Sequence, residues 1–399
     1  MNSVASETAG SLDRLSLRAS SLRDQGKGKT ISFSPKVFIP LTRLCRDFCR
    51  YCTFRQSPQA AGSIYMTAEE MLDIARAGES AGCREALFVL GERPEERYTE
   101  ARQWLHCRGY DSTLEYLRDM CALVLRETRL CPHSNPGTLS REELAALKPV
   151  NASIGLMLES TAPRLCGPGG PHAHAPSKRP ELRLRTLEAA GQLKVAFTTG
   201  LLVGIGETAE ERTQALIAIR DLQQQYGHIQ EVIIQNFRAK QGTPMATAPE
   251  ISTSEMLRTV AAARIILGAH MNIQVPPNLL SDFGGALYSA FLHAGINDWG
   301  GISPLTPDYV NPEAAWPHVG RMRDAMRTEG FQLRARFPVY PEYILERQEY
   351  LPAGLVDRLH GEMDPQGYMS DEIESVLFAG EPGTVGAGKT GGGRDASRN

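Results

Sequence analysis

The stretch LCRDFCRYCTF, residues 44–54, places Cys45, Cys49 and Cys52 in the spacing C-x3-C-x2-C. Ferredoxin-type iron–sulfur clusters are held by four cysteine thiolates. A compact set of three cysteines therefore holds three corners of a cubane cluster and leaves one iron without a protein ligand. We expect this open iron to bind a small molecule, so the stretch predicts a reactive metal centre.

Two other uses of these cysteines need to be weighed against a cluster. A structural zinc site normally takes four ligands in two close pairs, and the chain has no second C-x2-C pair. A disulfide is disfavoured by the same spacing. The other cysteines stand singly in apolar or helical surroundings, where they are expected to be small core residues: Cys83, Cys107, Cys121, Cys131 and Cys166.

The C-x3-C-x2-C spacing resembles that of the radical S-adenosylmethionine (SAM) enzymes. The resemblance implies one 4Fe-4S cluster held by Cys45, Cys49 and Cys52, with SAM chelated on the open iron. In such enzymes the cluster supplies an electron that splits SAM into methionine and a 5'-deoxyadenosyl radical. Tyr51 matches an aromatic residue that packs near the SAM adenine in this superfamily, and Phe54 is expected to shield the cluster.

Composition limits the remaining function classes. The chain has 399 residues, a formal net charge of -3 and a pI near 6.3, so it lacks the basic surface that nucleic acid requires. No apolar run approaches the ~20 residues that span a bilayer. We expect a disordered leader at 1–32, a catalytic domain at 33–370 and a disordered Gly-rich tail at 380–399. Reduced thiols and an oxygen-sensitive cluster favour the cytoplasm.

Short β-branched runs alternate with amphipathic stretches along the domain, which is typical of an α/β fold with parallel strands. We predict a (βα)8 TIM-type barrel. The expected strands lie at 37–39, 85–89, 129–133, 151–156, 196–201, 231–234, 273–275 and, weakly, 297–299. The expected helices lie at 67–82, 111–128, 140–147, 181–190, 207–225, 253–268, 279–294 and 313–329.

Active sites of such barrels lie at the carboxyl ends of the strands. Gly91 and Glu92 follow the second strand, where radical SAM enzymes hold the methionine end of SAM; the alternative is an ordinary turn. Glu159 follows the fourth strand and either binds ribose or a substrate ammonium, or only pairs at the rim. Gly204 and Gly206 follow the fifth strand without a phosphate-binding motif, and are expected to pack around adenine.

Four segments resemble a more specific family: VFIPLTRLCRD (37–47), GERPEE (91–96), PHSNPG (132–137) and GISPLTPDYVNP (301–312). They are similar to the ring-closing radical SAM subunit of 7,8-didemethyl-8-hydroxy-5-deazariboflavin synthases. The resemblance implies a substrate in which a hydroxybenzyl group is joined to a ribitylated uracil. It also implies products that include the deazaflavin and ammonia, a partner radical SAM enzyme that makes the adduct, and a reductant protein.

Polar side chains near the strand ends are candidates for contacts with this substrate. His133 and Tyr309 are candidates for proton transfer during loss of ammonia, and each has the alternative of a turn or cap role. The candidates for binding uracil amides and ribityl hydroxyls are Asn135, Asn236, Asn278 and Asp308.

Two further groups are harder to assign from sequence. His172 and His174 lie in a Pro/Gly-rich segment without a nearby acid, so we expect a mobile surface loop in place of a metal pair; here the chain also departs from the adjacent histidines of the family. Arg183 and Arg185 either reach the SAM carboxylate or are solvated charges.

Two other functions stay open at this point. The chain is either the ring-closing enzyme or the sibling that couples the hydroxybenzyl group of tyrosine. A non-catalytic electron-transfer protein with an ordinary iron–sulfur cluster is the third possibility.

Overall fold

The computed structural model of the protein describes residues 11–283 and 285–379. Its centre is a closed barrel of parallel strands, which confirms the expected (βα)8 architecture. The strands are β1 (Thr30–Thr42), β2 (Glu85–Leu90), β3 (Cys131–Asn135), β4 (Ser153–Gly155), β5 (Phe197–Val203), β6 (Ile229–Asn236), β7 (Ile273–Gln274), β8 (Asp298–Ile302) and β9 (Gln332–Ala335).

The long first strand closes the barrel. β1 pairs in parallel with β2 on one side, with Lys36 opposite Glu85, and with β8 on the other, with Ser34 opposite Gly301. Its amino-terminal end also pairs with β9, which the sequence analysis did not anticipate. The weak eighth strand expected at 297–299 is confirmed as β8, so all the loops that follow β1–β8 meet at one end of the barrel.

Helices follow the strands and pack outside them. They are α1 (Leu12–Lys27), α2 (Ala68–Ser80), α3 (Thr99–His106), α4 (Thr113–Glu127), α5 (Arg141–Leu147), α6 (Pro180–Gln192), α7 (Ala209–Tyr226), α8 (Thr253–Leu267), α9 (Gly285–His293), α10 (Val319–Thr328), α11 (Pro341–Leu345), α12 (Ala353–His360) and α13 (Asp371–Ala379). Capping boxes begin α2, α5 and α7, at Thr67, Ser140 and Thr208. None of the described helices combines the length and hydropathy needed to cross a bilayer.

The amino-terminal segment corrects one expectation. Residues 12–27 of the expected disordered leader form α1, whose Leu15 and Ala19 pack with Ala261 and Ile265 of α8. The buried guanidinium of Arg23 also donates to the carbonyl oxygens of Leu292 and Ile296 at 3.0 Å. Leu15, Ala19 and Leu22 share one helical face, whereas Leu17 is exposed, and composition alone does not reveal this face. Residues 1–10 and the expected tail at 380–399 lie outside the described residues.

The chain after β9 closes the amino-terminal end of the barrel. Arg336 is buried and pairs with Asp298 at 2.7 Å and with Glu231 at 2.8 Å, which ties this segment to β8 and β6. The carbonyl of Pro338 accepts hydrogen bonds from Ser153 and Gln230, both at 3.0 Å. With these groups filling that end, the barrel interior is left with a cavity toward the carboxyl ends of the strands.

Candidate functional site

The cysteine loop, residues 43–56, leaves β1 at the carboxyl-terminal end of the barrel and rests on the turn after β2. Arg46 N donates to Glu92 O at 2.8 Å, and Glu92 N donates to Cys45 Sγ at 3.2 Å. A Cβ on Gly91 would overlap the carbonyl oxygen of Leu44 and lie 2.7 Å from Cβ of Cys45. The two segments meet backbone to backbone, so this position requires glycine.

A second segment, the strap of residues 167–178, covers the cysteine loop from the other side. Phe48 N donates to His174 O and Arg50 N donates to Pro171 O, both at 2.9 Å. The Ser177 hydroxyl donates to the buried carboxylate of Asp47. The expectation of a mobile surface loop around His172 and His174 is therefore wrong for the segment, although the His174 side chain is exposed.

Beside the strap, Tyr51 of the cysteine loop joins a buried polar cluster. The Tyr51 hydroxyl donates to Glu159 Oε2 at 2.6 Å and lies 3.0 Å from Nε2 of His172. Lys178 pairs with the other Glu159 oxygen. Burial alone would raise the pKa of Glu159, but the Lys178 ammonium, the hydrogen bond from His172 and the charge of Arg183 hold it well below its usual range. The carboxylate therefore stays ionised inside the site.

Glu92 is also buried, and its carboxylate is already engaged. Its Oε1 accepts from the Thr138 amide at 3.2 Å and from the Thr138 hydroxyl, while Arg46 lies 3.3 Å away. A Cβ on Gly137 would lie 2.8 Å from Cγ of Glu92. Glu92 thus ties the turn after β2 to the loop after β3. Its role toward the SAM ammonium stays a prediction.

The three thiols of the cysteine loop suit an iron cluster chemically. Cys45, Cys49 and Cys52 are free and partly exposed, and Cys49 and Cys52 line the cavity. Burial raises the pKa of Cys45 to about 12 and raises that of Cys49 as well. Iron binding replaces the thiol proton, because a coordinating thiol is deprotonated. Within residues 11–283 and 285–379, no three His, Cys, Asp or Glu side chains are already gathered as metal ligands.

A cavity of about 370 Å³ extends from Cys49 and Cys52 into the barrel. Its size falls in the range of small-molecule sites, about 300–1,000 Å³. Its lining includes one apolar cluster, which we call the apolar side: Phe38, Phe54, Leu87, Val89 and Trp316. It also includes a set of polar side chains, which we call the polar side: Lys36, His133, Asn135, Thr198, Glu231, Gln235, Gln274 and Asn278.

The deepest part of this cavity contains a network around Glu85. Lys36 Nζ pairs with Glu85 Oε1 at 2.7 Å, and His133 Nδ1 lies 3.7 Å from the same oxygen. His133 also contacts the Ser153 hydroxyl through Nδ1 at 2.8 Å and Asn135 Oδ1 through Nε2 at 3.1 Å. Burial lowers the pKa of His133 to about 4, against the opposing charge of Glu85. Its imidazole is therefore neutral at pH 7.

Of the other residues predicted to contact the substrate, some line the cavity and some do not. Asn278 and Asp308 line the cavity and bond to each other at 3.0 Å, and the buried Oδ1 of Asn278 has no hydrogen-bond partner among the side chains that the structure describes. Both Asp308 oxygens are engaged within the loop, because Asn311 and Val310 also donate to them. Tyr309 packs against the apolar side without lining the cavity, and Asn236 at the end of β6 does not line it either.

The remaining cofactor candidates lie one layer outside the cavity. Gly204 and Gly206 have φ of 100° and 109°, and the Gly204 and Ile205 amides donate to Glu207, so these glycines form the turn before α7. Ile205 packs in the same apolar cluster as Tyr51. Arg183 is buried and donates to the carbonyls of Ser177 and Met157, which supports the strap and the end of β4.

Several site residues were missed by sequence reasoning. Lys36 is the one charged residue of β1, which is buried along most of its length, and this charge is a signal that could have identified it. Lys178, Gln274 and Trp316 follow no motif and reach the cavity only because their loops and strands converge there. His172 was dismissed because its acidic neighbour, Glu159, is on a different segment.

Comparisons with known proteins agree with this geometry. The profile of the Radical SAM superfamily matches residues 39–217. A 7,8-didemethyl-8-hydroxy-5-deazariboflavin synthase of Methanopyrus kandleri is 50% identical over 85% of this chain and 99% of its own length. FO synthases of Streptomyces avermitilis and Mycobacterium tuberculosis are 47% and 52% identical over 89% and 87% of this chain, which spans only 42% and 41% of their lengths.

Solved structures support the fold. The FeFe-hydrogenase maturase HydG from Carboxydothermus hydrogenoformans superposes with a TM-score of 0.66 at 20% identity, over 94% of this chain and 88% of its own. Methylornithine synthase (PylB) gives a TM-score of 0.61 at 17% identity, over 83% of this chain and 93% of its own. At these identities the likeness concerns the barrel alone.

The superfamily match and the three free thiols of the cysteine loop agree on the cofactors, which are a 4Fe-4S cluster and SAM. The electron-transfer alternative is set aside, since the relatives are synthases. The chain is an enzyme of deazaflavin biosynthesis, and it belongs to the 7,8-didemethyl-8-hydroxy-5-deazariboflavin synthase family of the radical SAM superfamily.

Proposed function

We propose that this chain closes the ring of the deazaflavin. Its substrate would be 5-amino-5-(4-hydroxybenzyl)-6-(D-ribitylimino)-5,6-dihydrouracil, and the products would be 7,8-didemethyl-8-hydroxy-5-deazariboflavin, ammonium, 5'-deoxyadenosine and methionine. The observation that carries the proposal is the cavity beside Cys49 and Cys52, which joins an aromatic side to a polar one. The adduct has the same two parts, a phenol ring and a ribitylated uracil.

Cys45, Cys49 and Cys52 would hold the cluster, which with SAM would supply the radical chemistry for removing a hydrogen atom from the adduct. The chain's own residues have to exclude water and hold the substrate, because a carbon radical attacks whatever lies nearest to it. The strap and the cysteine loop close over the cavity beside Tyr51. The ionised Glu159, with Lys178, offers an anionic acceptor for hydroxyl or ammonium groups at the same place.

Loss of ammonia requires proton transfers that the deep end of the cavity supports. His133 presents a neutral imidazole, the form that accepts a proton, and it lies among the groups lining the cavity. Tyr309 is a weaker candidate because it stands behind the apolar side. We assign the base to His133 because of its position in the cavity lining, since the burial that keeps its imidazole neutral also lowers its pKa and makes it a weaker base.

The relatives support a division of labour between two enzymes. The chain matches 99% of the Methanopyrus kandleri synthase but only 42% of the Streptomyces avermitilis FO synthase. An activity that resides in the rest of the longer proteins, such as coupling of the hydroxybenzyl group, would then come from a partner enzyme. A separate reductant protein would supply the electron, and the cytoplasm would suit both.

Anaerobic turnover tests the proposal directly. The protein is reconstituted with iron and sulfide, reduced with dithionite and given SAM with the chemically prepared adduct. We expect deazaflavin fluorescence and 5'-deoxyadenosine to rise together. In a parallel reaction, tyrosine and 5-amino-6-(D-ribitylamino)uracil replace the adduct, and no coupled product should form. Coupling in that reaction, without ring closure of the adduct, would assign the sibling activity instead.

A further inference from the structure

The two sides of the cavity come mostly from different strands, although β1 contributes Phe38 to the apolar side and Lys36 to the polar side. The apolar side also contains Leu87 and Val89 of β2, Phe54 of the cysteine loop and Trp316 from the segment after β8. The rings of Phe38 and Trp316 stack with centroids 5.2 Å apart. Cys52 packs against the same cluster, so the apolar side begins directly at the cysteine loop.

The polar side is built with glycines at positions facing it. Gly300 has a φ of 70°, and a Cβ there would overlap the amide of Gln274 and lie 2.9 Å from its Cγ. A Cβ on Gly301 would lie 2.7 Å from Nζ of Lys36, and one on Gly155 would lie 2.9 Å from Nε2 of His133. Glycine at these places makes room for long polar side chains inside a barrel that otherwise packs tightly.

Some of these polar groups have no hydrogen-bond partner among the residues that the structure describes. Gln274 (6% exposed) and the partly buried Gln235 line the cavity, and no hydrogen bond joins either amide to another described side chain or carbonyl; both amides are open to the cavity. Asn278 is 1% exposed and its Oδ1 is unpartnered. Buried amides are normally hydrogen-bonded, and an unmade bond is costly. Amides that face a cavity without partners therefore point to a ligand that offers both donors and acceptors.

From this arrangement we infer how the substrate is oriented, an inference that rests on the proposed function. Gln274 and Gln235 both bind the ribityl hydroxyls, with the amide edge of the uracil beside them, and Trp316 with Phe38 holds the hydroxybenzyl ring beside Cys52. Gln274, Gln235 and Trp316 are thus specificity-determining residues. The opposite orientation would press ribityl hydroxyls onto Phe38 and leave the glutamine amides unpaired.

Equilibrium dialysis of the adduct tests the orientation without turnover. The cluster-loaded protein is used with SAM and without reductant, and a second ligand carries a methyl group in place of the ribityl chain. For the wild-type protein, loss of the ribityl chain should weaken binding roughly 100-fold, from several lost hydrogen bonds. Gln274→Leu should weaken binding of the full adduct roughly tenfold by the same reasoning.

The decisive comparison is between the two ligands in each variant. In Gln274→Leu, loss of the ribityl chain should weaken binding by a markedly smaller factor than in wild type, because the substitution has already removed the contact that the chain makes. In Trp316→Leu, loss of the ribityl chain should weaken binding by the same factor as in wild type. Gln235→Leu serves as a second amide variant should Gln274→Leu not fold, and Gln332→Leu, exposed on β9, is the matched control.

Each outcome decides a separate point. Equal ribityl dependence in Gln274→Leu and wild type, or a reduced dependence in Trp316→Leu instead, would overturn the orientation. Turnover of the wild-type protein with the adduct reports on ring closure independently. If the variants bind the two ligands as expected but no deazaflavin forms, the inferred orientation of the substrate is supported and the proposed ring-closing reaction is refuted.

Discussion

Replacing Gly91 by alanine should impair cluster assembly through the backbone alone. The added Cβ would overlap the carbonyl oxygen of Leu44 and stand 2.7 Å from Cβ of Cys45, where unstrained carbon contacts are about 3.5–4.0 Å. Because the Leu44 carbonyl belongs to the main chain and Cβ of Cys45 is fixed by it, rotation of a side chain cannot relieve the overlap, and the cysteine loop has to move away by roughly 1–2 Å. Overpacking of this kind costs about 1–3 kcal/mol.

The assay combines stability with metal content. Urea unfolding of the metal-free protein should show Gly91→Ala less stable by about 1–3 kcal/mol, and anaerobic reconstitution should give less iron and sulfide per chain. Gly354→Ala is the matched control, since a Cβ there meets nothing within 4 Å. Wild-type iron content together with an unchanged urea midpoint for Gly91→Ala would refute the claim that this contact positions the cysteine loop.

Three further changes probe the rest of the site. Cys49→Ala should abolish the iron–sulfur absorption and turnover while leaving the circular dichroism of the barrel unchanged; gross unfolding would show that the cysteine loop supports the fold. Lys36→Met should lower the free energy of unfolding in urea by about 3–5 kcal/mol, because it leaves the buried Glu85 carboxylate without its ion-pair partner. The double variant Lys36→Met/Glu85→Gln should recover part of this loss. No recovery would contradict a stabilising ion pair between Lys36 and Glu85. Burial lowers the pKa of His133 from 6.5 to about 4, so on acidification the unfolded chain takes up the His133 proton at a higher pH than the folded chain does. The free energy of unfolding should therefore fall by about 3 kcal/mol as the pH drops from 6.5 to 4. His133→Gln should lose that part of the pH dependence of stability, and an unchanged profile would show that the His133 proton is not linked to folding.

The sequence was most informative where a function depends on neighbouring residues. The spacing of Cys45, Cys49 and Cys52 indicated the cluster, and the alternation of strands and helices indicated the barrel, because both patterns depend only on residues that are close together in the sequence. Capping residues such as Thr67 marked helix starts for the same reason. The expected disorder of residues 12–27 failed because α1 gains its stability from packing on α8, a tertiary contact.

By itself, the sequence predicted the cluster ligands and determined the fold class and the family, since each depends on local spacing or on segments that stay together along the chain. Only the tertiary structure decided that His172 and Lys178 meet Glu159, and that Gln274 and Trp316 line one cavity. Those residues come from separate loops and strands, and their proximity follows from closure of the barrel, which brings the ends of all its strands to the same place.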